Sequence, residues 1–330
     1  MYDVTTIGSA LQDIYVFSDK FSVHADPRKM SGKSEYFEFG TKIELDDLIL
    51  GVGGGASNAA FTFRNQGLKC ACLARVGDDG VGMEVRKRIK EYGVTDKLII
   101  DKNNRTGRSI FFLGKSGEKT VLVFRGAAKK FKPSEITKKN IPQSKWFYVT
   151  SLGGDMASLK KVFSQAKLQK TNIMINPGKR EIEGSRLQLL KLLKQAKVLL
   201  LNREEASLLV KKAYGNVFGI MNELKKLLPN TVLLVTDGDK GLYTIMENHV
   251  NYVIIKPVKA VDMTGAGDAF GSGFLAGYIR SQGDVKKGLH LAVNNSTSVV
   301  QKIGAKHGLA KKLKMNNKLK LNYKLKKIYE

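Results

Sequence analysis

Val261-Asp262-Met263-Thr264-Gly265-Ala266-Gly267-Asp268-Ala269-Phe270 sets a polar, glycine-bearing turn directly before an apolar run that can form a helix. The first N–H groups of a helix lack intrahelical carbonyls, and with the positive end of the helix dipole they favour an anion such as phosphate. Gly265 and Gly267 can take backbone angles closed to bulkier residues and let a ligand approach the chain closely. Asp268 would repel that anion unless it faced an alcohol, whose proton it could accept while orienting the oxygen for in-line attack. The turn therefore offers a place for a transferred phosphoryl group beside a base. An ordinary loop-to-helix junction with an acidic first turn has the same residues.

Outward from this turn the chain alternates between strand and helix signals. Residues 4–7, 70–76, 146–150, 173–175, 198–201 and 232–236 read as strands, and 57–66, 82–92, 158–168 and 187–195 as helices. Such alternation predicts a layered α/β domain with a largely parallel sheet. Ligands in these sheets gather beyond the carboxyl ends of the strands. Gly8, Thr150, Asn202, Thr236 and Asp262 all fall at such ends in this reading.

Two stretches break the pattern. Between 31 and 50, Tyr36-Phe37-Glu38-Phe39 and Thr41-Lys42-Ile43-Glu44-Leu45 suggest half-buried strands, and 106–113 and 120–124 suggest a hairpin turning at Lys115-Ser116-Gly117-Glu118. Together they predict a small discontinuous β cover, at about 12–50 and 103–128, on a domain spanning 1–310. Its edge strands could pair between subunits in a homodimer. Residues 311–330 form a basic extension in which Leu319, Leu321, Tyr323 and Leu325 alternate with Lys318, Lys320, Asn322 and Lys324, either an edge strand or a loose tail.

With 330 residues, 42% of them hydrophobic, the chain can bury a substantial core. No run is long and apolar enough for a transmembrane helix, and the N-terminus lacks the basic and apolar regions of a secretory signal. Cys70 and Cys72 are the only cysteines, which suits a reducing compartment, and a cytoplasmic protein is expected. The net charge of +26 could draw nucleic acid, anionic lipid or phosphorylated substrates without selecting among them. No zinc-finger spacing accompanies it, and His24, His249, His290 and His307 show no close metal-ligand spacing. A basic nucleic-acid-binding protein stands as the contrasting function class.

Other candidate residues carry paired readings. Gly51 to Asn58 contains Gly53, Gly54 and Gly55 but neither a P-loop ending nor a dinucleotide fingerprint. It could admit a polyhydroxy substrate beside Asn58, or form a tight helix start. Asp13 could clamp two hydroxyls or cap a turn. Asn202 and Glu205 have the spacing of a capping box, or could order magnesium-bound water beside phosphates. Thr236-Asp237-Gly238-Asp239-Lys240-Gly241 is a nucleotide-holding loop or a plain turn.

Asp13, the glycine-rich segment ending Ser57-Asn58, Arg75-Val76-Gly77-Asp78-Asp79-Gly80, Asn202 with Glu205, and above all the 262–268 motif resemble the ribokinase-like, or PfkB-type, carbohydrate kinase family. The resemblance covers roughly residues 3–308. It implies a three-layer α/β/α core with a largely parallel central sheet and a small β lid over a sugar. It assigns base function to Asp268 and an anion hole to Gly265, Ala266 and Gly267. Asp13, Gly54, Gly55 and Asn58 match substrate positions; Asn202 and Glu205 match phosphate and magnesium organisation, with Glu205 acting on the ion through water. Thr236, Gly238 and Gly241 match the nucleotide region, and Asn294 or Asn295 approximates an adenine-side position. The resemblance implies ATP and Mg2+, makes a potassium (K+) site an open expectation, and leaves neutral sugar and nucleoside as competing acceptors. Arg105, Arg108 and Arg125 near the lid could point inward to an anionic substrate, while Phe37, Phe39, Phe111 and Phe112 could face a nucleobase or form the lid core.

Overall fold

Short runs rich in Val, Ile and Leu, apolar at consecutive positions, must bury both faces, which is the signature of parallel strands between helical layers. The computed structural model describes residues 1–26, 28, 33–36, 40–113, 119–246, 249–312 and 323–328. Its main sheet runs, in spatial order, Thr95–Asp96, Cys70–Leu73, Tyr2–Ile7, Ser144–Thr150, Asn172–Asn176, Val198–Asn202 and Val232–Thr236, each parallel to its neighbour. Antiparallel strands Leu242–Met246, His249–Ile255 and Tyr323–Ile328 extend it to ten strands among the described residues.

Alternation along each strand feeds two separate cores. In Ser144–Thr150, Trp146 and Tyr148 pack with helices Gly55–Asn65, Gly80–Glu91, Ala266–Arg280 and Val285–Val299. Phe147 and Val149 pack on the opposite side with Met156–Gln169, Lys179–Leu193, Arg203–Val210 and Val217–Leu227. The architecture is therefore three-layer α/β/α. Asp79, Asp155, Asn216 and Asp284 cap four of these helices through side-chain acceptors, each worth about 1 kcal/mol. Helices Ala266–Arg280 and Val285–Val299 approach closely because a Cβ at Gly273 or Gly277 would lie 3.0 Å from Ala292 Cα or 2.8 Å from the Lys287 carbonyl.

The chain leaves Tyr2–Ile7 toward Cys70–Leu73 on one side and places Ser144–Thr150 on the other, so a topological switch opens beyond these strand ends. Helix Gly55–Asn65 starts there, with Ala56 N–H donating to the Ser9 carbonyl at 3.0 Å. Above it sits a second sheet, ordered Lys119–Phe124, Arg108–Leu113, Leu11–Phe17, Asp47–Gly53. Its inner side clusters Tyr15, Phe111 and Leu113 with Phe17, Ile49 and Ile303 of the core. Its edge strand leaves Leu122, Val123 and Phe124 exposed.

Several expectations need correction. Residues 41–45 are not a strand; the strand is Asp47–Gly53, where pairing with Leu11–Phe17 is available. The expected strand 70–76 is split into Cys70–Leu73 and Arg75–Gly77, the second pairing with Ile99–Asp101. The helix expected at 187–195 is the later part of Lys179–Leu193, which kinks at Ser185. Asp262 does not end a parallel strand; it follows the antiparallel His249–Ile255 through a loop. Tyr323–Ile328 takes the edge-strand alternative for the tail. Phe37, Phe39, the 115–118 turn, Leu319 and Leu321 lie outside the described residues. No helix among the described residues is long and apolar enough to cross a membrane.

Candidate active site

Gly265 caps the helix Ala266–Arg280 from the left-handed region, with φ 74°. A Cβ at Gly265 would also fall 2.4 Å from that of Ala305, so backbone angle and space both require glycine. Asp262 shapes the turn from its other end. Its carboxylate accepts the Thr264 N–H at 2.9 Å, the Thr264 hydroxyl at 2.6 Å and the Gly304 N–H at 2.9 Å. Ala266 donates its N–H to the Met263 carbonyl at 3.2 Å. Of the expected anion-hole residues Ala266 is thus already engaged, leaving Gly265 and Gly267 beside the helix N-terminus.

On one side of this turn four charged or amide side chains converge. Asn58 donates from Nδ2 to Asp268 Oδ2 at 2.8 Å, and its Oδ1 accepts from Lys306 Nζ at 2.8 Å. A carboxylate on one end and an ammonium on the other fix the amide's orientation. Burial raises the Asp268 pKa, against the opposing pull of Asn58 and Lys306. Burial likewise carries Asp13 up to about 6, opposed by Lys306 and the Ser109 hydrogen bond and assisted by Asp268. Burial brings Lys306 down to about 8, with Asp13 and Asp268 pulling it back up. Its ammonium also lies 5.0 Å over the Phe61 ring.

The glycines beside this group have specific reasons. A Cβ at Gly53 would fall 2.1 Å from Asp13 Oδ1, so the glycine leaves room for the carboxylate. Gly54, at φ 98°, would put a Cβ 2.5 Å from the Ser9 carbonyl, and Gly55 donates its N–H to Ser9 Oγ at 3.1 Å. Gly54 and Gly55 therefore draw the helix start against Ser9, which brings Asn58 opposite Asp268.

On the other side of the turn lies a cavity of about 300 Å³. Its lining includes Thr236, Gly238 and Gly241, together with Gly267 of the turn. Val258, Met263, Phe270 and Val300 supply apolar surface, and Ser296 and Thr297 polar edges. A flat heterocycle with a polar tail suits such a lining. Asn294 and Asn295 are not part of it. Asn294 meets His290 Nε2 at 2.9 Å. Asn295 is fully buried, donating to the Ala269 carbonyl at 2.8 Å and accepting from Ala310 N–H at 2.8 Å. Helical geometry turns the asparagines away from this cavity and presents the next two residues, Ser296 and Thr297, to it.

Asn202 and Glu205 form the capping box: Asn202 Oδ1 accepts the Glu205 N–H at 2.8 Å and Glu205 Oε2 accepts the Asn202 N–H at 2.9 Å. Asn202 pairs in register with Thr236, so the box stands at the same end of the sheet as the cavity. Burial raises the Glu205 pKa, with Glu204 and Glu181 adding to it. Among the described residues no cluster of three or more His, Cys, Asp or Glu could cage a metal.

Arg105 and Arg125 are exposed and Arg108 is half-buried with its charge near Asp79, so none takes the inward place considered for it. Phe111 stacks on Tyr15 at 4.5 Å in the second sheet, whose apolar cluster it helps to form. The inward cation is Lys306, hidden in sequence among the many lysines after 302. Its one distinguishing signal is the small-residue setting of Gly304-Ala305-Lys306-His307-Gly308.

Known proteins share this fold. The chain is 26% identical over 251 residues to an uncharacterized sugar kinase of Archaeoglobus fulgidus, covering 74% of this chain and 96% of that one. It is 26% identical over 274 residues to a nucleoside kinase of Methanocaldococcus jannaschii, covering 82% and 85%. An E. coli protein described as a putative ribokinase II, solved in complex with ATP and Mg2+, superimposes with a TM-score of 0.74 at 20% identity, over 94% of this chain and 96% of the other. The pfkB family carbohydrate kinase profile matches residues 1–312.

Proposed function

This chain belongs to the pfkB family of carbohydrate kinases, and we propose on that footing that it transfers the γ-phosphoryl group of Mg-ATP to a hydroxymethyl oxygen of a neutral sugar. The observation that carries the reading is the placement of Asp268, 2.8 Å from Asn58 on one side of the turn while Gly267 lines the cavity on the other. A nucleoside is the second acceptor reading, supported by the Methanocaldococcus jannaschii relative.

Asp13 and Asn58 hold acceptor hydroxyls, and Asp268 takes the proton of the attacking one. The N–H groups at Gly265 and Gly267, with the helix dipole, receive the phosphoryl oxygens as the bond to the acceptor forms and the bond to ADP breaks. The apolar cavity seats the base, with Thr236, Gly238 and Gly241 along its polar edge. Magnesium supplies charge neutralisation when bound with the nucleotide. Glu205 would hold that ion through water, since among the described residues no cluster of three or more His, Cys, Asp or Glu offers direct ligands. Lys306 holds Asn58 in the orientation that serves Asp268 and favours the ionised form of the two neighbouring carboxylates.

The test is ADP release from Mg-ATP across a panel of neutral sugars, sugar phosphates and nucleosides. One neutral polyol or nucleoside is expected to stimulate turnover well above the rate without acceptor. No stimulation by any of them, or stimulation by sugar phosphates alone, would count against the reading.

A further inference from the structure

Lys119 belongs to the lid, yet its ammonium meets the turn of the core. Nζ lies 2.5 Å from Asp262 Oδ1 and 2.5 Å from Thr264 Oγ1, contacts that join residues 143 and 145 positions apart. The Asp262 side chain is 0% exposed. Among the described residues, Lys119 is the cation paired with it. We propose that Lys119 is a positioning residue that seats the lid on the phosphoryl-transfer turn by supplying, from the lid, the counter-charge of Asp262. The inference rests on the reading of that turn as the phosphoryl-transfer end.

A buried carboxylate without a counter-charge is unfavourable, and a charged, multiply hydrogen-bonded one is firmly placed. Burial alone would raise the Asp262 pKa, but hydrogen bonds from Lys119, Thr264 and Gly304 outweigh it and hold the group below its ordinary value. The carboxylate joins two further segments. Oδ1 takes the N–H and hydroxyl of Thr264, immediately before Gly265, and Oδ2 takes the N–H of Gly304, two residues before Lys306. Ile303 packs into the Tyr15, Phe111 and Leu113 cluster of the lid, so apolar and ionic lid contacts fall on adjoining parts of the core. With Lys119 in place, the lid, the anion-hole turn and the loop carrying Lys306 form one connected unit. Without the ammonium, Asp262 loses its counter-charge and both segments lose a shared anchor.

Hydrogen exchange on the full-length protein tests this without an acceptor. Lys119→Met keeps the length and apolar stem of the side chain and removes the charge. It should speed exchange at the Thr264 and Gly304 amides by about tenfold or more while strand Ser144–Thr150 exchanges as in the unaltered protein. Lys119→Arg should restore most of the protection, and ethylammonium chloride, but not sodium chloride, should restore it to Lys119→Ala. Unchanged exchange at Thr264 and Gly304 in Lys119→Met would overturn the proposal. So would protection indifferent to ethylammonium. If the methionine variant fails to fold, Lys119→Arg decides: loss of protection there overturns the assignment and retention supports it. With an acceptor in hand, Lys119→Met should lower kcat while leaving the KM for ATP within about twofold. Exchange needs no turnover, so failure of this coupling and failure of the kinase assignment are separable.

Discussion

On one side of the turn at Gly265, charged and amide side chains converge; on the other lie backbone and apolar surface. The side proposed for the acceptor gathers Asp13, Asn58, Asp268 and Lys306, with Asn58 bonded to both Asp268 and Lys306. The side proposed for the phosphoryl donor is a cavity walled by residues such as Val258, Met263 and Phe270, with glycines at 238, 241 and 267. Charged groups held in fixed geometry tune proton transfer, whereas an apolar slot with backbone donors binds without taking part in it. The two halves should therefore respond differently to substitution and to pH, and only the shared turn should govern both.

The largest effect is expected where the halves meet. Gly265→Val places a β-branched residue at φ 74° and drives it into Ala305, since even the first side-chain carbon at this position would fall 2.4 Å from the Ala305 Cβ. The strain should cost about 1–3 kcal/mol of stability, seen as a lower Tm, and should remove both turnover and Mg-ADP binding. Loss of one without the other would break the idea of a shared turn.

A smaller effect, confined to the acceptor side, is expected from Lys306. Asp13 titrates at about 6 and Asp268 is shifted in the same direction, so activity should fall as these carboxylates take up protons on acidification. Lys306 loses its proton at about 8, so a second limb should appear as pH rises through that value. Lys306→Met should lower kcat/KM for the acceptor by about tenfold and abolish the alkaline limb. The acidic limb should move to higher pH, because the lysine charge no longer favours ionised Asp13 and Asp268. The KM for ATP should stay unchanged. A pH profile identical to that of the unaltered enzyme would show that Lys306 has no part in the acceptor site.

How far each half could be read from sequence follows the same division. The turn at 262–268 is contiguous, so its anion-binding and basic parts announce themselves together. Strands 198–201 and 232–236 are legible because apolar residues at consecutive positions have no other stable home than a two-sided sheet. Lys306 is illegible because its meaning arises only on contact with Asn58, 248 positions away, and its local surroundings are rich in other lysines. Lys119 is hidden for the same reason. Asn295 misleads in the opposite way: an amide near the cavity in sequence is turned by its helix toward Thr62, Ala269 and Ala310. Asn202 and Glu205 keep both meanings, since a capping box and a water-ordering carboxylate use the same residues.

The most direct test is a pair of measurements on Asp268→Asn: the Mg-ADP dissociation constant and the turnover of the best acceptor. A base on the acceptor side predicts that kcat falls by about 10²–10⁴-fold, while the dissociation constant stays within about twofold of the unaltered value. Undiminished turnover, or equal losses in turnover and nucleotide affinity, would contradict it.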